Sequence, residues 1–251
     1  MPAPSLVVPD SSEAIAARVA ATDWTTVESD LSGRGFARLP PLVGRDTCRA
    51  LIEMYGEPGH FRSRIEMARH NFGVGDYQYF AYPLPRAVQT LRASVYPHLA
   101  SIANRWHALL AKDDASTPPF PASLATFLEE CHAAGQTRPT PLLLHYEAGG
   151  FNCLHQDVYG DIVFPLQLLV FLAEPGHDYE GGELVLVEQR PRAQSIPHVV
   201  RGSAGSAVVF TTRHRPAKGS RGHHRVTVRH GVSRVSAGRR HTLGVIFHDA
   251  R

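Results

Sequence analysis

Long apolar runs are missing from this chain. None approaches the roughly 18 residues a helix needs to cross a bilayer, and the N-terminal stretch MPAPSLVVPDSSEAIAARVA has neither the basic start nor the long apolar centre of a secretory signal. No membrane partner is expected, and cytoplasmic residence is the expectation. Cysteine is scarce as well. Cys48, Cys131 and Cys153 are an odd number without a CxxC pair, which argues against a disulfide framework and against a structural zinc site. Repeats and low-complexity tracts are absent too. With 43% hydrophobic and 20% charged residues over 251 positions, the composition excludes disorder, collagen and coiled coil and suits one full core.

The remaining deficit is local. Between Glu188 and Asp249 there is no acidic residue, while Arg190, Arg192, Arg201, Arg213, Arg215, Lys218, Arg221, Arg225, Arg229, Arg234, Arg239 and Arg240 fall in that interval. A region of one sign favours an anionic ligand. These cations are dispersed among strand-like runs and turns, not set on a helix-turn-helix, a finger or an aromatic-interleaved sheet. A small carboxylate or phosphate is therefore the expected anion, and nucleic acid is not an expected partner.

The chain changes character near residue 140. Before it, helical patterns run through SSEAIAARVAA, GRDTCRALIEMYGE, PRAVQTLRASVYPHLASIANRWHALLA and PASLATFLEECHAAG, with a short strand and turn in GRGFARLPPLV. Pro118, Pro119 and Pro121 separate the third helix from the fourth, and QTRPTP is the connector. From Leu142 onward, LLLHYEA, PLQLLVFLAE, GELVLVEQ, SAVVFTT, RVTVRHGVSRV and HTLGVIFHD are short β-rich runs between turns, the spacing of a sandwich or jelly roll.

Within GGFNCLHQDVYGD, His155 and Asp157 stand two positions apart after a glycine turn. On a strand such residues share a face, with Gln156 turned away, so an imidazole and a carboxylate would converge on one point. Two groups hold a metal weakly. A second histidine would complete the two-histidine, one-carboxylate face that non-haem iron uses with positions left open. Among 15 histidines a downstream one proves little by itself; His230 stands out through its surroundings, RHGVSRVSAGRRHTL.

The stretch YEAGGFNCLHQD, from Tyr146 to Asp157, resembles the Y-x-x-G-x5-H-x-D pattern of the iron(II) and 2-oxoglutarate dependent oxygenases, in particular their prolyl hydroxylase-like branch. EGGEL, residues 180–184, is similar to that branch's strand after the first ligand pair. His230 to Arg240, H-x-V-x2-V-x2-G-x-R, is similar to its second ligand strand and cosubstrate arginine. Order and spacing agree over roughly the last 110 residues. The resemblance implies an α+β fold with a double-stranded β-helix (jelly-roll) core under an N-terminal helical cover. Residues 1–251 would be a single oxygenase domain, with 1–140 as cover and lid and 141–251 as the core.

It also implies roles. His155, Asp157 and His230 would be the catalytic residues and ligate iron(II). Arg240 would grip the distal carboxylate of 2-oxoglutarate, since a guanidinium fork matches a carboxylate with two parallel hydrogen bonds. Thr242, two residues on, could add a hydroxyl, while Arg239 should point away. Tyr146 is either a partner of 2-oxoglutarate or a packed strand tyrosine. Cys153 shares the face of His155 on a regular strand, but a cytosolic thiol is more often a small buried hydrophobe. His214, His223 and His224 are assigned to a solvated, turn-rich loop.

The expected reaction, with O2 as oxidant and succinate and CO2 as co-products, is hydroxylation, desaturation or cyclisation at an unactivated carbon of a small metabolite such as an amino acid. One alternative is a prolyl or other side-chain hydroxylase acting on a protein or peptide; another is a non-catalytic metal- or ligand-binding jelly roll. A cupin-type isomerase would want HxH where this chain has His155-Gln156-Asp157, and the arginine-rich closing motif of nucleic-acid demethylases is absent. Residues 61–85, hinged by Gly73 and Gly75, are expected to form either a lid whose Arg69, Tyr77, Tyr79 and Tyr82 meet the substrate, or a loop packed on the barrel. Nothing in the sequence sets the oligomeric state.

Overall fold

A computed structural model of the chain describes residues 9–110, 119–158, 160–190, 192–220 and 222–251. The first eight residues, Ala111 at the end of the third expected helix, Pro118 and Arg221 lie outside them. Ser11 starts helix α1 (Ser12–Ala20) by accepting the Ala14 amide on its hydroxyl, and Ile15 and Val19, four apart, are buried. Helix α2 (Trp24–Arg34) has no counterpart in the sequence reading. Asp23 caps it through the amides of Thr25 and Thr26 and Gly35 closes it, but only Val27 and Leu31 are buried, too sparse a stripe to show as a period. Strand β1 (Phe36–Leu39) and helix α3 (Arg45–Met54) follow as expected.

Residues 61–85 correct the expectation of a loop, since they form β2 (Phe61–Glu66), β3 (Gly73–Val74) and β4 (Asp76–Phe80). Gly73 and Gly75, expected as hinges, are points of close backbone approach. Both sit at φ +139°, and a Cβ would lie 2.2 Å from the Phe151 carbonyl oxygen at the first and 2.8 Å from Tyr146 Cδ1 at the second. Only glycine lets the backbone approach that closely. Helices α4 (Arg86–Leu110) and α5 (Leu124–Ala133) complete the N-terminal part.

The remaining strands are β5 (Leu142–Glu147), β6 (Phe151–His155), β7 (Leu166–Phe171), β8 (Tyr179–Gly181), β9 (Leu184–Gln189), β10 (Ile196–Val200), β11 (Ala207–Thr211), β12 (His214–Gly219), β13 (Gly222–Val232) and β14 (Val235–Val245). Three features differ from the sequence reading. β10 was not expected; it is an edge strand, mostly exposed and carrying Pro197. The stretch holding His214, His223 and His224 is a hairpin of β12 and β13, with Lys218 paired to His223 and Ala217 to His224, and not a loop. RVTVRHGVSRV breaks at Ser233 and Arg234, and Val235 begins a new strand.

The strands make two antiparallel sheets, a mixed helix and jelly-roll architecture. The eight-stranded sheet runs β1-β11-β7-β14-β5-β4-β2 with β8 beside β14; the six-stranded sheet runs β10-β9-β13-β6-β3 with β12 beside β13. Alternation decides what each face meets. Leu168, Val170, Val209, Leu243 and Val245 pack with Leu31, Leu51, Leu99 and Phe127 of the helices. Their neighbours Leu169, Phe171 and Phe210 turn the other way and pack with Leu184, Leu186 and Val228 of the second sheet. Each such buried side chain contributes about 1.5–3 kcal/mol. The helices thus cover one sheet from outside and leave its inner face to form a cavity with the other.

Candidate metal centre

Strand β6 ends at His155, so His155 and Asp157 are not two residues of one regular strand. The register explains this: His155 opposite His230 is the last pair of β6 with β13, and the chain then loses its partner. Gln156 turns aside as expected and anchors the departing segment, donating from Nε2 to the carbonyls of Val228 at 3.0 Å and Arg213 at 3.3 Å. Asp157 is thereby set between two imidazoles. Its Oδ2 lies 3.1 Å from His230 Nε2 and its Oδ1 lies 3.6 Å from His155 Nε2. The three ligand atoms fall within 4.8 Å of one another, and among the described residues no other group of histidine, cysteine and acidic side chains does so.

The tautomer of His155 follows from its partner. Nδ1 lies 2.7 Å from the Cys153 carbonyl oxygen, which can only accept, so Nδ1 carries the proton and Nε2 keeps its lone pair toward Asp157. Burial holds the His155 pKa below the usual imidazole range; His230 adds to that and Asp157 opposes it. The neutral, metal-binding form is thus favoured to lower pH. His230 is buried, edge-on to Phe210 with centroids 4.8 Å apart. Cys153 is exposed and outside the ligand group; its contribution is its carbonyl.

Arg240 is 0% exposed. Its Nη1 donates to Thr242 Oγ1 at 3.4 Å, the Tyr179 hydroxyl lies near the guanidinium, and its Nε and Nη2 have no well-formed hydrogen bond and no anion among the described residues. A buried guanidinium is costly unless an anion meets it. The Tyr146 ring lies 5.4 Å from its central carbon. Burial pushes the Tyr146 hydroxyl up to about 12, with Arg240 pulling it back, so the phenol is a neutral donor near the cation. Arg239, on the opposite face of β14, is exposed and lies 3.5 Å from Glu147. Donor set and orphaned guanidinium therefore fit a divalent metal next to a small carboxylate.

A cavity of about 340 Å³ joins these parts, lined from both sheets by His155, Asp157, His230, Tyr146, Thr242 and a largely apolar wall. Tyr77 and Tyr79 reach it, in an edge-to-face pair 5.5 Å apart. Arg69 and Tyr82 do not. Arg69 lies at the surface, paired with Glu66 at 2.6 Å. Tyr82 donates to Asp249 at 2.9 Å and accepts from Arg92 at 3.0 Å, at the outer edge of a buried Arg92–Asp249 pair that ties α4 to the end of the chain. Gln167 and Phe210 also line the cavity and escaped the sequence reading. The signal for Gln167 was present: it is the one polar residue inside LQLLVF.

The sequence model of one family, Oxygenase-NA, described as an oxygenase catalysing oxidative methylation of damaged DNA, matches residues 75–250. Two uncharacterized proteins of Mycobacterium tuberculosis, from strains CDC 1551 and H37Rv, are each 48% identical over 171 residues, covering 68% of this chain and 72% of theirs. Among solved structures, a Pseudomonas putida prolyl-4-hydroxylase is similar with a TM-score of 0.51 and 19% identity, over 91% of this chain and 99% of that one. A Burkholderia pseudomallei oxidoreductase of the 2OG-Fe(II) oxygenase family is similar with a TM-score of 0.53 and 13% identity, over 90% and 92%. At those identities the likeness is one of fold. No described helix is long and apolar enough to cross a membrane.

Proposed function

Because the chain belongs to the Oxygenase-NA family and has the fold of the iron(II) and 2-oxoglutarate dependent oxygenases, we propose that His155, Asp157 and His230 hold iron(II) and that Arg240 holds 2-oxoglutarate, for oxidation of a small organic substrate by O2. One observation carries this: a carboxylate set between two imidazoles shares a cavity wall with the threonine and tyrosine flanking a buried guanidinium that has no anion of its own. Bound iron(II) and 2-oxoglutarate supply the means to reduce O2 and oxidise an unactivated carbon, releasing succinate and CO2.

The protein's own part is positioning. Arg240 and Thr242 grip the distal carboxylate, and the Tyr146 hydroxyl, held neutral, can donate beside them. The Cys153 carbonyl orients His155. Walls of leucine, phenylalanine and tyrosine keep water from the carbon to be oxidised. About 340 Å³ is near the lower end for ligand pockets, so cosubstrate and one small molecule, or one projecting group of a larger molecule, fill it. The test is anaerobic loading with iron(II) and 2-oxoglutarate, then O2, with succinate measured across metabolites, peptides and oligonucleotides. Oxygen-dependent succinate that vanishes in Asp157→Ala supports the reading; none from the wild type, or the same amount from the variant, overturns it.

A second reading, a nucleic-acid substrate, has its own observation. Arg213, Lys218, Arg225 and Arg229 are exposed, with no salt bridge among the described residues, and the last two lie on the same face of β13, opposite His230. The Oxygenase-NA description names damaged DNA, against the sequence expectation that nucleic acid is not a partner. Single-stranded oligonucleotide binding that weakens steeply with salt, and is lost in Arg225→Glu with Arg229→Glu, would support it; salt-insensitive or undiminished binding would dismiss it.

A further inference from the structure

Gln167 has no role in holding metal or cosubstrate, yet its burial needs a reason. It is 4% exposed, lines the cavity, and its Nε2 has no hydrogen-bond partner among the described residues. An unpaired buried amide is costly to fold around. Its neighbours on the same wall, Leu142, Leu169, Gly244 and Ile246, offer it no side-chain partner.

Register shows how far it lies from the cosubstrate end. Thr242 stands opposite Phe171 and Gly244 opposite Leu169, and continuing that register sets Gln167 level with residue 246, just past the end of β14 and six residues from Arg240. At 3.3–3.4 Å per residue that is roughly 20 Å of strand, more than a five-carbon dicarboxylate spans. Gln167 is also paired across the sheet with Phe210, whose ring meets His230. It therefore belongs to the metal side of the cavity, away from Arg240, where a substrate would sit.

We propose that Gln167 recognises the substrate through a neutral amide-like edge, a donor beside an acceptor, as in a carboxamide or a ring lactam; this rests on the reading of the site given above. A primary amide is complementary to such an edge, offering an acceptor and a donor side by side. The substrate is neutral there. Apart from the metal group the cavity lining holds no charged side chain, and a zwitterionic amino acid, the class expected from the sequence, would bury unpaired charge. The body of the molecule is flat and apolar, matching Phe210, Tyr79 and the leucines.

The test uses the full chain loaded with iron(II) and 2-oxoglutarate without oxygen, and equilibrium dialysis of three probes: benzamide, uracil and toluene. Wild type should bind benzamide or uracil about tenfold more tightly than toluene, and which one leads tells an open carboxamide from a ring lactam. Gln167→Leu should erase that preference while keeping 2-oxoglutarate affinity and the melting temperature, since it removes an unpaired buried amide. Gln167→Met, of similar length, repeats the test if the leucine variant misfolds. The proposal is overturned by an equal preference in the variants, by no preference in a wild type that binds 2-oxoglutarate, or by unfolding of both variants, which would make Gln167 structural. A wild type that binds no 2-oxoglutarate would instead strike the reading of the site.

Discussion

The roles proposed for Asp157 and Arg240 rest on neighbours one residue away on the chain. Gln156 anchors the backbone so that Asp157 returns between the imidazoles, and alternation on β14 sends Arg240 inward and Arg239 out. Arg240→Ala should weaken 2-oxoglutarate binding roughly 30-fold to several thousand-fold, the equivalent of the 2–5 kcal/mol lost when one partner of a buried charge pair is removed. Arg239→Ala should change it less than about twofold, as an exposed pair is worth under 1 kcal/mol; calorimetric titration without oxygen checks both, and equal losses would mean that β14 is misregistered. The grouping of His155, Asp157 and His230 and the inward Arg240–Thr242 pair were legible from local order and spacing, although Asp157 lies past the end of β6 and not on the regular strand expected. Arg69 and Tyr82 were misplaced because their partners Glu66, Arg92 and Asp249 depend on pairing and packing that composition does not reveal.

At the scale of elements, the hairpin of β12 and β13 is pinned by a buried ion pair. Arg215 donates from Nη2 and Nε to Glu188 Oε2 at 2.6 and 2.9 Å and from Nη1 to the Ser32 carbonyl at 2.9 Å, joining β12 to β9 and to α2. Arg190 sits on the other carboxylate oxygen at 2.5 Å. Arg215→Ala strips a buried carboxylate of its main partner and should destabilise the fold by about 3–5 kcal/mol, whereas Arg215→Met with Glu188→Leu should cost far less; urea midpoints distinguish them, and a loss under 1 kcal/mol in Arg215→Ala would contradict the account. Arg190 and Arg215 in this region thus serve packing around a buried glutamate. A charge count alone does not separate such arginines from Arg240, whose guanidinium is left for an anion. Helices with dense apolar periods and central strands were legible; α2, with two buried residues, and edge strand β10 were not. Residues 61–85 looked like a loop because tyrosines, arginines and glycines fit a turn-rich surface as well as they fit a sheet edge packed against β5 and β6.

For the molecule as a whole, the helices seal one face of the larger sheet, and the tail after β14 closes the core. His248 lies in that tail, fully buried, its Nδ1 accepting the Phe164 amide at 3.2 Å. Burial, reinforced by Arg92, pushes its pKa from 6.5 down to about 4. Between those values the unfolded chain takes up a proton that the folded chain refuses, so the contribution is complete above pH 6.5 and falls away by about 3 kcal/mol as pH drops to 4. His248→Asn, which keeps an acceptor for Phe164, should flatten denaturation midpoints between pH 7 and 4; an unchanged slope would show that other groups set it. The central claim is that the two sheets bring together one site for metal and cosubstrate, and equilibrium dialysis of iron(II) and 2-oxoglutarate under nitrogen tests it most directly. One iron per chain, with 2-oxoglutarate retained only when iron is present and both lost in Asp157→Ala, is the predicted result; undiminished binding of both by Asp157→Ala and His230→Ala would contradict it.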